Sequence, residues 1–479
     1  MSRILDGLTP KRVFYYFEEI SKIPRGSKNE QAISDYLYAF GQNLGFEVFQ
    51  DESLNIVIKK PATKGYENAP TVLIQGHMDM VCEKNSNTVH DFEKDPLKLV
   101  VSGDDISADG TTLGADNGIA VAMALALLES KDMSHPALEV LLTTDEEMGM
   151  SGAAKVDGSI FNSRILINLD SEGEGELTAG CSGGGRIHYY VPIIRQAPAF
   201  KRAYKITVKG LKGGHSGVDI HLERGNSNVI LARILNQIID FSELQSINGG
   251  AKDNAIPREA CAVILCRDVD RVNSIVETHA MKIKSELAVT DSGMVVDFEP
   301  DNKAFDSVFS KETFSKIISS LLLIPNGPKV KSTKIDLVIL SNNVGVVTTT
   351  DTHVAILTAP RSSVKSLLDF QLDQVQLLAD AMGCDMQIKA IYPGWEYRKE
   401  SYIRDLTIKV YKDITSKDMH VAAIHAGLEC GLLMEKIEGL DAVSFGPNMY
   451  DIHTPDERIS ISSVERCYHL LCELLKHII

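Results

Sequence analysis

Apolar positions in the first 60 residues recur at helical spacing in "PKRVFYYFEEISKI" and "NEQAISDYLYAFGQNLG", then tighten into a short strand, "LNIVIKK". From there strands and helices alternate. "PTVLIQGH" predicts a strand and "DNGIAVAMALALLESKD" a helix rich in alanine and leucine. "ALEVLLTTDEE" and "RILINLDSE" predict strands that run out into acids. Alternation of this kind predicts an α/β fold, a mostly parallel sheet with helices on both faces. Sheets of that class place ligands beyond the carboxyl ends of their strands.

Around residue 185 the texture changes to strands of mixed polarity separated by long helices. "AYKITVKGLKGGHSG" leads into the helix "NSNVILARILNQIIDFSEL", and "EACAVILCRDVD" leads into the helix "VNSIVETHAMKIKSELAV" and the strand "GMVVDFEP". A similar order follows: the helix "ETFSKIISSLLLI", the strands "IDLVILSNNVGVV" and "HVAILTAPRSS", the helix "VKSLLDFQLDQVQLLADAMG" and the strand "DMQIKAIYP". The repeated element order predicts an internally duplicated α+β unit of antiparallel sheet and helices. Near residue 398 the chain returns to the first texture, with a helix "YIRDLTIKVYKDI", a turn "HAGLECG", a strand "LDAVSFGP" and a last helix "SVERCYHLLCELLKHI". The expected organisation is therefore a discontinuous catalytic domain, 1–185 and 398–479, carrying an inserted lid domain, 186–397.

A chain of 479 residues is too long for one ordinary core, which agrees with two domains. The formal net charge of −16 argues against nucleic acid or an anionic membrane as partner and favours a small substrate or a cation. No stretch offers the roughly 18 apolar residues of a membrane span, and the start lacks a signal-peptide core. Eight scattered cysteines without paired CxxC spacing read as reduced thiols, so a cytoplasmic location is expected.

The chemistry gathers just after predicted strand ends or at a helix start: His77, Asp116, the pair Glu146–Glu147, Asp170, and His453 in "YDIHTPDERIS". Each alone has a plain reading, a polar strand end for His77 or a helix N-cap for Asp116. Together, two imidazoles and several carboxylates can converge on one crevice. Nitrogen and carboxylate donors without thiolate suit zinc, cobalt or manganese, and their number suits two divalent ions better than one.

These residues lie in "GHMDMV", "GADNG", "TTDEEMGMSGA", "NLDSE" and "HTPDE", a set that resembles the di-zinc exopeptidases and deacylases, which include carnosinases and tripeptidase T. "GLKGGHSGVDI", "DNAIPRE", "HAGLECG" and "PGWEY" look more narrowly like the aminoacyl-histidine (Xaa-His) dipeptidases. The resemblance covers nearly the whole chain. It implies that His77 and Asp170 share one ion, His453 and Glu147 the other, with Asp116 and a water bridging them. It further implies Asp79 as the acid behind the His77 ring and Glu146 as the general base that activates the bridging hydroxide. Residues alone leave open which of Glu146 and Glu147 faces the ions.

The glycine-rich bend at His215 is expected to expose its ring as a donor to the oxyanion. The resemblance places Asn254 beside it, reaching the active site from the lid, often from a partner subunit. Arg361 is expected to follow a strand and to grip a free carboxylate, with backbone N–H groups near Gly427 assisting. The resemblance favours a homodimer, although the second copy of the lid unit could instead stand in for the partner within one chain. The expected reaction is hydrolysis of unblocked dipeptides, Xaa-His and carnosine-like substrates included. An N-acyl amino-acid hydrolase using the same ions is the alternative, and a non-catalytic metal-binding protein would have no use for both Asp79 and Glu146.

Overall fold

The computed structural model describes residues 3–333 and 337–479, which divide into two compact units. The first comprises Met1–Gly180, Tyr397–Ala423 and Leu428–Ile479; the second comprises Cys181–Glu396 and Ile424–Gly427. The short segment Ile424–Gly427, expected with the catalytic domain, thus groups with the second unit.

The first unit is built on an eight-stranded sheet. Its four central strands, Leu138–Thr143, Val72–His77, Ile165–Asn168 and Asp441–Ser444, run parallel. Antiparallel pairs flank them, Glu47–Gln50 with Ile56–Lys60 on one side and Glu176–Cys181 on the other. The first three of these are buried along their whole length, and the fourth from its second residue on, as strands covered on both faces must be. The helix Ala115–Glu129 is apolar nearly all round and almost wholly buried, so it is a core helix and not an amphipathic cover. Lys11–Ile20 packs on it with Val13, Phe14, Phe17 and Ile20. This arrangement fixes the carboxyl ends of three adjacent parallel strands, where His77, Thr143 and Asn168 lie.

The second unit carries a nine-stranded antiparallel sheet and four long helices around one apolar core. Along the sheet the strands run Val295–Asp301, Arg202–Lys209, Ala260–Cys266, Ser242–Gly249, Val338–Thr349, His353–Ser362, Gly183–Pro192 and Asp385–Tyr392, with Gly327–Lys331 pairing beside Val338–Thr349. Both halves follow one scheme, strand-helix-strand-strand-helix-strand. The first half is Arg202–Lys209, Ser227–Ile238, Ser242–Gly249, Ala260–Cys266, Val269–Glu286 and Val295–Asp301. The second is Gly183–Pro192, Lys311–Leu323, Val338–Thr349, His353–Ser362, Lys365–Met382 and Asp385–Tyr392. The spatial order of one half mirrors the other across the seam where Gly249 pairs with Val347.

The duplication is interleaved. The opening strand of the second half, Gly183–Pro192, precedes the whole first half in the chain. The expected strand "IDLVILSNNVGVV" begins at Ile335, which with Asp336 lies outside the described residues; the strand is described from Val338. Arg361 lies within a strand, two strands from the sheet edge, and does not follow one.

Candidate metal centre

His77 closes the strand Val72–His77, and its imidazole is 1% exposed. Its backbone N–H donates to Asn117 Oδ1 at 3.1 Å, and Asn117 Nδ2 donates to the Leu169 carbonyl at 2.7 Å, which ties three loops together. Nδ1 lies 3.3 Å from Asp79 Oδ1, and Nε2 lies 3.2 Å from Asp116 Oδ1 and 3.6 Å from Asp170 Oδ1. An N–H at Nδ1 facing the Asp79 carboxylate leaves Nε2 with a free lone pair, the tautomer a metal ligand requires. Asp79 does more than hold that ring. Its Oδ1 accepts the N–H of Glu146 at 3.1 Å and its Oδ2 accepts Ser27 Oγ–H at 2.8 Å, so one buried carboxylate sets both the imidazole and the acidic loop.

Asp116 is the central group. Oδ1 faces His77 Nε2, and Oδ2 faces His453 Nε2 at 3.1 Å. His453 Nε2 is also 3.0 Å from Glu147 Oε2. Ligand atoms of His77, Asp116 and Asp170 thus lie within 4.8 Å of one another, as do those of Asp116, Glu147 and His453. A third such group joins His77 to Glu146 and Glu147, so both glutamates turn toward the same crevice.

The electrostatics fit divalent cations. Burial pushes the Glu146 carboxyl up to about 8, with further repulsion from Glu429 and Glu147. Burial likewise raises Asp170 well above the usual carboxylate range, although the charge of His77 opposes it. His453 is pushed up to about 11 by the hydrogen bonds its ring donates to Asp116 and Glu147. Burial works against a charged His77, yet Asp170, Asp116 and Asp79 hold it well above the ordinary histidine value. Glu146 and Asp170 are therefore held toward their protonated forms, and Asp79 and Asp116 draw protons onto the imidazoles. Two cations bound by this nitrogen and oxygen donor set would replace those protons.

Three groups outside the expected set hold the crevice in shape. Glu457, 2% exposed, accepts the backbone N–H groups of Leu113, Gly114, Ala115 and Asp116 at 2.7, 2.9, 2.8 and 3.3 Å. It therefore ties the loop of His453 to the start of the helix that carries Asp116. Arg25, fully enclosed, donates to the carbonyls of Met78 and Gly114 at 3.1 and 2.5 Å. Glu429 lies beneath His77, its Oε2 accepting from Gln75 Nε2 and Thr143 Oγ1 at 2.5 and 2.6 Å. The "HTPDE" motif contains Glu457, but no spacing in the chain points from it to residues 113–116.

The remaining expected residues, His215, Asn254, Arg361 and Gly427, all fall in the second unit. His215 is half-buried and not exposed as expected, because its Nδ1 accepts the N–H groups of Gly217 and Val218 at 3.3 and 3.1 Å. That turn leaves Nε2 as its outward nitrogen. Burial and the charge of Arg361 keep His215 below its ordinary value. The Asn254 side chain is exposed, and its carbonyl accepts the Ser216 N–H at 2.8 Å, which sets it next to His215. Gly217 joins His215 to Arg361: a Cβ there would lie 3.1 Å from the His215 ring and 3.3 Å from Arg361 Nε. Gly427 follows His425, whose ring is clamped between Ser182 Oγ and Ser341 Oγ at 2.7 and 2.6 Å. Burial lowers His425 to about 3, so it is a neutral spacer.

Comparison with known proteins bears on both units. Residues 73–477 match the sequence profile of peptidase family M20/M25/M40. The cytosol non-specific dipeptidase of Escherichia coli (strain K12) is 40% identical over 483 aligned residues, covering 99% of each chain. The crystal structure of aminoacylhistidine dipeptidase from Vibrio alginolyticus is 38% identical, covers 100% of this chain and 98% of its own, and superposes with a TM-score of 0.92. Aminopeptidase PepT from Bacillus cereus, 17% identical over 98% of this chain and 99% of its own, shares the fold at a TM-score of 0.58.

Proposed function

The chain belongs to peptidase family M20/M25/M40, and from that membership we propose that it is a metallo-dipeptidase cleaving the peptide bond of unblocked dipeptides, Xaa-His and carnosine-like substrates among them. The observation that carries the reading is the split carboxylate of Asp116, one oxygen toward each imidazole, with Asp170 beside His77 and Glu147 beside His453.

His77, Asp116 and Asp170 would hold one divalent ion and Asp116, Glu147 and His453 the other, most suitably Zn2+, with Co2+ or Mn2+ compatible with the same donors. Bound there, the ions supply Lewis acidity to the scissile carbonyl and lower the pKa of water. Asp79 keeps the His77 ring in its ligand tautomer. Glu146 takes the proton of the attacking water and hands it to the leaving amine, a task suited to a carboxyl that burial has raised toward neutrality. His215 and Asn254 donate to the oxyanion of the tetrahedral intermediate. Arg361 grips the free carboxylate, assisted by N–H groups near Gly427, which limits substrates to short peptides.

Among the described residues no helix is long and apolar enough to cross a membrane. We place the enzyme in the cytoplasm as a homodimer, with residues 186–397 as its lid. One assay tests the reading: the metal-loaded protein against free dipeptides, their N-acetylated twins and a tripeptide. Turnover of the free dipeptides is expected. Turnover confined to the acetylated set would make the protein an N-acyl amino-acid hydrolase instead.

A further inference from the structure

The run of three glycines in "CSGGGR" and the tyrosine of "IYPGWEY" have no part in the site so far, yet the sheet of the second unit brings them into one row. Gly184 pairs in register with Arg361 on one side and with Tyr392 on the other. Residues opposite one another on neighbouring strands share a face, and two strand spacings set the Arg361 and Tyr392 backbones roughly 10 Å apart across the sheet. Their side chains meet all the same. Arg361 Nη1 donates to Tyr392 Oη at 2.9 Å, over the position where residue 184 has no side chain. A Cβ on Gly184 would come within 2.8 Å of Tyr392 Oη and 3.0 Å of its Cζ. The preceding Gly183 is equally confined, its Cβ position 2.4 Å from Gly394 N in the strap that follows Tyr392.

The direction of that hydrogen bond decides what the hydroxyl can do. Tyr392 Oη accepts from the guanidinium, so its own proton points elsewhere, and among the described residues no group accepts it. Arg361 Nε is also buried without a partner. The nearby imidazoles of His215 and His425 are both held toward neutrality, chiefly by burial and further by the Arg361 charge. The acid close to this row, Asp253, is engaged by Arg186. A cation and an oriented hydroxyl donor side by side, with no anion among the described residues to satisfy them, form a receptor for one carboxylate.

We propose that Tyr392 is a substrate-binding residue that completes, with Arg361, the receptor for the C-terminal carboxylate of the dipeptide, and that Gly184 is what lets the two side chains meet. The proposal rests on the carboxylate-gripping role given to Arg361 above. It predicts a preference for a free carboxylate over a neutral end: the amide of the same peptide offers one acceptor where the carboxylate offers two, and carries no charge.

The test compares L-alanyl-L-alanine with its C-terminal amide in the wild type, Tyr392→Phe and Gly184→Ala. The wild type should favour the free acid in kcat/KM. Tyr392→Phe keeps the ring and its packing, and should raise KM for the acid about tenfold with kcat nearly unchanged, while the amide is unaffected. Gly184→Ala retains both side chains but wedges them apart, and should move the acid in the same direction. Should it fail to fold, Tyr392→Phe carries the test alone. A wild type indifferent to the carboxylate overturns the role of Arg361 and this proposal with it. A wild type that prefers the acid, with the preference intact in Tyr392→Phe, overturns only the role of Tyr392. Equal losses on acid and amide would make Tyr392 structural and likewise overturn it.

Discussion

Glu146 and Asp79 have different tasks in the chemistry but share one hydrogen bond in the structure, the Glu146 N–H to Asp79 Oδ1. Their substitutions should therefore separate cleanly. Glu146→Ala removes a proton carrier and no assigned ligand, so kcat should fall by about 10²–10⁴-fold with two equivalents of metal retained. Activity and metal content both surviving would remove Glu146 from the mechanism. Asp79→Ala frees the Nδ1 side of His77 and the acidic loop together, so metal affinity should drop about 10–100-fold, read by competition with a chelator. Unchanged affinity would reduce Asp79 to a turn residue. His77, Asp116, Glu146, Glu147 and Asp170 stand out in the sequence because each closes or directly follows an apolar run or opens a helix, whereas His453 lies in a turn that no such pattern marks. Glu429 and Tyr392 do not stand out. The first acts from beneath a strand through Gln75 and Thr143, and the second depends on the register of three strands far apart in the chain.

The start of the helix Ala115–Glu129 is irregular, with non-helical backbone at Asp116 and Asn117, so its first N–H groups cannot be satisfied by the helix itself. Glu457 satisfies two of them, Ala115 and Asp116, and the N–H groups of Leu113 and Gly114 just before the helix, with one carboxylate from the loop after His453. Glu457→Gln keeps one acceptor oxygen and loses the charge and the other. It should destabilise the fold by about 2–3 kcal/mol, seen in the denaturant midpoint. It should also weaken the ion on the His453 side more than the ion on the His77 side. A midpoint shift below about 0.5 kcal/mol would mean that water replaces the cap without loss. Secondary elements of the first unit were legible because their apolar patterns are strong and local. In the second unit, Ser242–Gly249 escaped, its opening residues "FSEL" reading as the end of a helix. Its burial alternates irregularly, and its polar "SELQSING" carries little strand signal. That strand is half of the seam between the two copies. The repeated order of the helices was visible, whereas the interleaving was not, because nothing local marks Gly183–Pro192 as belonging with elements more than 100 residues later.

For the whole molecule, a net charge of −16 is tolerable on the surface, but the first unit also concentrates acid in its interior. Glu146 and Glu429 are both pushed up to about 8, chiefly by burial, from the ordinary value of 4.5. His77 and His453 are raised as well. Each of these groups, when no cation is bound, keeps a proton in the folded state that the unfolded chain has already released. Stability from such groups is complete below their unfolded values and is lost as pH climbs through the folded ones. The metal-free protein should therefore melt at progressively lower temperature as pH rises from about 5 to about 8.5. Bound divalent ions act in the opposite sense, because their ligands must be deprotonated and affinity grows with pH. Melting curves taken across that window with excess chelator, and again with excess zinc, should have slopes that differ in sign or at least diverge steadily toward high pH. Parallel curves would show that the acids carry no protons for the cations to displace. A chelated protein that gained stability with rising pH would remove the case that this crevice is electrostatically built for two cations, because the paired acids Asp79 and Asp116, held below the ordinary value, give their full contribution above about pH 4 and cannot produce such a gain.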